Sequence, residues 1–142
     1  MNTTSTLSVR DARRMVDAAL AHAERLDVQV TVAVVDGGGR LRAMARTDGA
    51  SFLTVTLATD KAVTAAGLGV ATADFGEFAA GMPVLLTSLS DQSEVNLLPG
   101  GIPVIVAGAP VGAIGVAGGN NGEDHPVAQA GLAAMATAPV AG

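Results

Sequence analysis

Five sets of residues carry side chains or backbone whose chemistry could be used. Lys61 is the only lysine, and at helical spacing it shares a stripe with Thr54, Ala58 and Ala65, whose small side chains leave space beside an ammonium. Facing a pocket with Thr54, it could anchor a carboxylate or, desolvated, act as a base or Schiff-base amine. Without a ligand it would form a structural ion pair, with Asp36 or Asp48 as partner. Asp124 and His125 open the last predicted helix, where the helix dipole disfavours positive charge and a neutral imidazole can serve as base or ligand. Adjacent side chains on a helix diverge, so the two are not a dyad by sequence alone; the plainer role for His125 is a surface turn residue before Pro126. Arg46 and Asp48 precede Gly49-Ala50 at a strand-to-helix junction, where free N–H groups suit an anion, or where Asp48 simply caps the helix. His22 borders the apolar stripe of the first helix with Met15 one heptad earlier, a His/Met pair that could ligate a metal-bearing cofactor or be half-exposed surface. Gly100-Gly101 permits close approach by a ligand or another subunit.

Composition narrows what these groups can do. The chain has 142 residues, 49% of them hydrophobic, enough for one domain with one core. Aromatics are only Phe52, Phe75 and Phe78 against 18 glycines, so elements must pack closely through Ala, Val, Leu and Ile. There is no cysteine, which removes disulfides, thiolate metal sites and cysteine nucleophiles. Seven of the eight basic residues lie in the first 46 positions and the eighth is Lys61, so the later half is acidic and the net charge is -5. With that charge, and no Tyr or Trp for stacking, no nucleic-acid partner is expected. No spacing of His, Asp and Glu reads as a metal site, and neither a phosphate loop nor a strand-linked dinucleotide fingerprint is present. The polar start MNTTSTLSVRDARR lacks an apolar run behind its basic residues, so no signal peptide and a cytoplasmic protein are expected.

Residues 1–7 show no periodicity and read as a disordered tail, leaving 8–142 as a single domain. Ser8 and Asp11 make a capping-box-like start for a helix to about Leu26. Two β-branched runs around Asp36-Gly37-Gly38-Gly39 predict a hairpin, its second strand setting Leu41, Ala43 and Ala45 against Arg40, Arg42, Met44 and Arg46. A helix over about 51–68 is apolar on two sides, with Phe52, Val55, Ala62, Val63 and Ala66 on one and Leu53, Leu57 and Leu68 on the other, which predicts a sandwiched element. Thr72 is expected to cap a short helix holding Phe75 and Phe78. Residues 81–99 read as a long connection with room for short strands. The apolar run at 100–119 is long enough to span a bilayer, but its glycines with Pro103 and Pro110 favour two buried strands turning at Gly108-Ala109-Pro110, so no membrane partner is expected. A final helix over about 123–137 closes an antiparallel α+β arrangement.

Six ordered blocks, AVVDGGGRL (33–41), RTDGA (46–50), DKAVTAAGLG (60–69), PGGIPV (99–104), VGAIGVAGG (111–119) and EDHPVAQAGL (123–132), resemble the GlcG/HbpS-like proteins, which include the C-terminal domain of PduO. The likeness covers about residues 8–137. It implies a profilin-like α+β fold with an antiparallel sheet of about five strands flanked by helices. It also implies a homo-oligomer, a dimer or larger with an octamer among the options, and haem or another small molecule as ligand in some branches. On that footing the expected function is binding of a small molecule such as haem, with His22 as iron ligand and the arginines of the hairpin holding propionates. The alternative is a cofactor-independent lyase, isomerase or cyclase acting on a small apolar acid or ketone. There Asp124 and His125 would move protons, and Lys61 or Arg46 would hold an oxyanion. A third expectation is an assembly protein whose oligomer is its function.

Overall fold

The computed structural model describes residues 6–120 and 122–136. The first helix, α1 (Val9–Leu26), starts where Ser8 Oγ accepts from the Asp11 N–H and ends where Asp27 turns left-handed at φ 56°. Its stripe of Ala12, Met15, Val16, Ala19 and Ala23 is buried, as the 3.6 periodicity requires. The hairpin β1 (Thr31–Asp36) and β2 (Leu41–Arg46) follows. Asp36 Oδ1 braces its turn by accepting from the Gly38 and Arg40 N–H groups, and Gly39 supplies a positive φ of 77°. Then come α2 (Leu53–Leu68), α3 (Thr72–Ala80) and α4 (Pro83–Ser90), the second hairpin β3 (Gly101–Val106) and β4 (Ala109–Ala117), and α5 (Asp124–Ala136). All pairings are antiparallel in the order β2-β1-β4-β3.

The sheet has two unlike faces, set by alternation along its central strands. Val30, Val32, Val34, Ile114 and Val116 point to one side and form the main core with α1 and α5. Ala33, Val35, Ala113 and Ala117 point to the other and meet Ala58, Ala62, Ala65 and Ala66 of α2. Large side chains keep α1 and α5 at ordinary distance, whereas small ones let α2 settle almost onto the backbone. A Cβ on Gly115 would lie 2.6 Å from the Ala62 nitrogen, closer than atoms tolerate.

Several expectations need correction. The sheet has four strands rather than about five, because the 81–99 connection holds α4, started by Pro83 at a first-turn position where its missing N–H costs nothing. The second hairpin turns at Ala107-Gly108, both at positive φ, one residue before the expected turn. Pro103 lies in the edge strand β3, which tolerates a missing donor. Thr72 is not a cap: its hydroxyl donates to Leu98 O and accepts from the Gly101 N–H. Thr6 and Leu7 do not belong to a tail, since Leu7 is buried in the main core and its N–H donates to Val111 O; residues 1–5 lie outside the described residues. Nor is α2 covered along its whole length on both sides among the described residues. Its alanine face is buried, but Phe52, Leu53 and Leu57 are 74%, 62% and 41% exposed.

Candidate functional site

The expected site residues converge in one place only, where the end of β4 meets α2 and the start of α5. Lys61 comes from the buried face of α2 and is 3% exposed. Its Nζ donates to Val116 O at 2.9 Å and to Asp124 Oδ2 at 3.1 Å. The other Asp124 oxygen accepts from the Gly119 N–H at 2.7 Å, and Glu123 Oε1 accepts from the Asn120 N–H at 2.8 Å. Carboxylates just before and within the first turn of α5 thus hold the turn that leaves β4, and the α5 dipole favours their charge. The structural role considered for Lys61 is present, but with Asp124 as partner instead of Asp36 or Asp48. Gly100 and Gly101 belong to the same junction: side chains there would strike Val116 O and Lys61 O. What approaches those glycines so closely is α2 and the end of β4.

The other expected residues lie apart. His125 makes no dyad with Asp124, and its Nδ1 is buried without a hydrogen-bond partner among the described residues. Arg46 is a clamp on the loop before α2, its Nη1 donating to Ala50 O at 2.7 Å. Asp48 is exposed and does not cap α2; Ser51 Oγ accepts from the Leu53 N–H instead. Thr54 Oγ1 donates to Ser51 O and lies 2.8 Å from Thr31 Oγ1, at the wall of a polar cavity with Gln29, Gly49, Gly118 and Asn120. His22 sits half-buried on α1, across the sheet from Lys61, and Met15 is wholly within the core, so the His/Met pair cannot serve one ligand. An Arg25 guanidinium nitrogen lies 3.2 Å from His22 Nδ1. Because arginine only donates, that contact makes Nδ1 the acceptor.

A second constellation escaped sequence reading. Thr64, inside α2, accepts from the Asn96 N–H and lies within hydrogen-bond distance of both Asp60 O and Glu94 O. It straps residues 93–97 against α2, with Glu94 held at φ 67°. Between this strap, α2 and α4 lies an apolar cavity of about 250 Å³ walled by Val63, Leu68, Leu89, Val95 and Leu97, with Glu94 at its lining. Burial, and then the Glu94 charge, push the Asp60 carboxyl above its ordinary 3.8. The available signal was the presence of Asp60 and Thr64 one turn apart in α2.

The Asp60 shift has a testable sign. The folded protein holds that proton more tightly than the unfolded chain, so stability falls as pH rises from 3.8 through the raised value. Asp60→Asn is therefore expected to raise the melting temperature at pH 7, with the gain vanishing below pH about 3, where the wild-type carboxyl is itself protonated. Melting curves across that range check it; a gain that persists in acid contradicts the assignment.

The family model described as "Haem degrading protein HbpS-like" matches residues 7–133. The chain belongs to the HbpS-like family. Protein GlcG of Escherichia coli is 33% identical over 117 residues, covering 82% of this chain and 84% of that protein. The crystal structure of a double mutant of Streptomyces reticuli HbpS superposes with a TM-score of 0.87 at 34% identity, over 95% of this chain and 90% of that one. A crystal structure of a PduOC:Heme complex gives a TM-score of 0.83 at 30% identity, covering 91% and 94%. The HbpS-like frame accounts for the sheet and its flanking helices. No helix among the described residues is long and apolar enough to cross a membrane. No group of three His, Asp or Glu among them is placed to share a metal ion.

Proposed function

We propose that the chain is a small-molecule-binding protein whose ligand is haem, held at the outer flank of α1 by His22, and that it works as a homo-oligomer. The observation that carries this is the half-exposed imidazole of His22 beside the Arg25 guanidinium. His22 would ligate the iron through Nε2. That requires its proton on Nδ1, which frees Arg25 from the ring and leaves it available for a propionate. Ala18 and Ala21 on the same side of α1 present no bulk, and Arg14 stands one turn before Ala18. The donor set fits haem, which accepts a single imidazole; bound haem would supply an iron for redox or ligand chemistry. The haem in the similar PduOC complex supports the same reading.

Self-association is supported by the open start of α2, where Phe52, Leu53 and Leu57 are exposed, and such apolar surface favours contact with copies. The acid/base enzyme reading draws no support, because Lys61 and Asp124 satisfy each other and His125 joins neither. Haemin titration is expected to give a shifted Soret band that His22→Ala abolishes and His125→Ala leaves intact. Equal spectra for wild type and His22→Ala would reduce the binding to adventitious contact. Sedimentation at micromolar concentration is expected to give a dimer or larger species, and Leu53→Glu/Leu57→Glu a monomer.

A further inference from the structure

We propose that the cavity between α2, α4 and residues 93–97 binds a small amphiphilic amine, its apolar body against Val63, Leu68, Leu89 and Leu97 and its ammonium toward Glu94 at the lining. This site lies across the sheet from His22 and is independent of haem binding. Its volume of about 250 Å³ exceeds the ~150 Å³ that holds benzene, leaving room for a ring and a short side chain. A second cavity of about 230 Å³, under Leu86, Leu89 and Ser90, continues the apolar wall.

Charge decides the class of ligand. Beyond Lys61 the sequence has no basic residue, and the only ion pair among the described residues joins Lys61 to Asp124. No ion pair among the described residues offsets Glu94 or Asp60, and burial together with the Glu94 charge makes Asp60 hold its proton more tightly. An ammonium beside Glu94 would relieve that repulsion, whereas a carboxylate would add to it. A bare metal ion would gain nothing from apolar walls, and two carboxylates alone do not complete its coordination. The apolar lining and the uncompensated carboxylates together select a molecule that is greasy at one end and cationic at the other.

Titration calorimetry with 2-phenylethylammonium, 2-phenylethanol and phenylacetate on the full chain at pH 7 tests this. The ammonium is expected to bind at least tenfold more tightly than the alcohol, with phenylacetate weakest, and Glu94→Gln or Asp60→Asn to erase most of that preference. Gly67 lines the cavity and a side chain there meets open space, so Gly67→Leu is expected to fill the cavity and abolish binding without disturbing the fold. Absence of binding by the ammonium, equal binding of the alcohol or the acid, or binding that survives Gly67→Leu would overturn the proposal. So would an oligomer that Gly67→Leu disperses, which would assign the cavity to a second copy. Haemin spectra of Gly67→Leu are expected to match wild type, so failure here and failure of the His22 reading are separable.

Discussion

Lys61→Met is expected to destabilise the protein by about 3–5 kcal/mol, the range for removing one partner of a buried ion pair. The methionine keeps the apolar stem but leaves Asp124 near Val116 O without its cation, and among the described residues Asp124 keeps the Gly119 N–H as its hydrogen-bond donor. For a domain of this size the loss corresponds to a fall in melting temperature of about 10 °C or more. Urea unfolding is the direct measurement, read as a lower midpoint at unchanged slope. Replacing both residues, as Lys61→Met/Asp124→Leu, is expected to recover part of the loss, because no buried charge is then stranded. The haemin Soret band of Lys61→Met is expected to be unchanged, since His22 lies on the other side of the sheet. A Lys61→Met protein as stable as wild type would show that the pair is not holding α2 to the start of α5.

Gly115→Ala is expected to cost about 3 kcal/mol, at the upper end of ordinary overpacking. One methyl group at this position meets the Ala58 carbonyl and lies 2.6 Å from the Ala62 nitrogen and 3.0 Å from its Cβ. These are backbone or Cβ atoms of a regular helix, so no rotamer change can make room and α2 as a whole must lift from β4. The control is Gly67→Ala on the outer side of the same helix, where the added Cβ touches nothing and helix propensity alone favours alanine by about 1 kcal/mol. Denaturant unfolding of the two variants should therefore move in opposite directions. If Gly115→Ala is neutral, α2 does not sit as close to the sheet as described.

The chemistry of the sequence was enough for elements whose causes are local. The α1 stripe, the Ser8 cap, the Asp36-Gly37-Gly38-Gly39 turn and the paired apolar strands follow from periodicity, capping and left-handed glycine alone. Scarcity of aromatics and abundance of glycine also foretold close packing, which the α2 contact with β4 realises. Local signals do not carry long-range pairing, so Lys61 could be recognised as an ion-pair candidate while its partner Asp124, 63 positions away, could not. Burial misled in the same manner: Leu7 reads as tail until Gly112 and Val111 are brought beneath it, and Met15 pairs with His22 on a helical wheel although the sheet claims it for the core. Apolar residues on two sides of α2 announced two packed faces, yet among the described residues one face is fully buried while the other is covered only beside residues 93–97 and leaves Phe52, Leu53 and Leu57 exposed. The cavity beside Glu94 exists only because Thr64 straps residues 93–97 across α2 and α4. The sequence by itself determined every helix and strand but α4, because capping, turns and side-chain period act over a few residues. Tertiary structure alone decided which polar groups meet and which apolar faces stay open, because those depend on how distant segments share space.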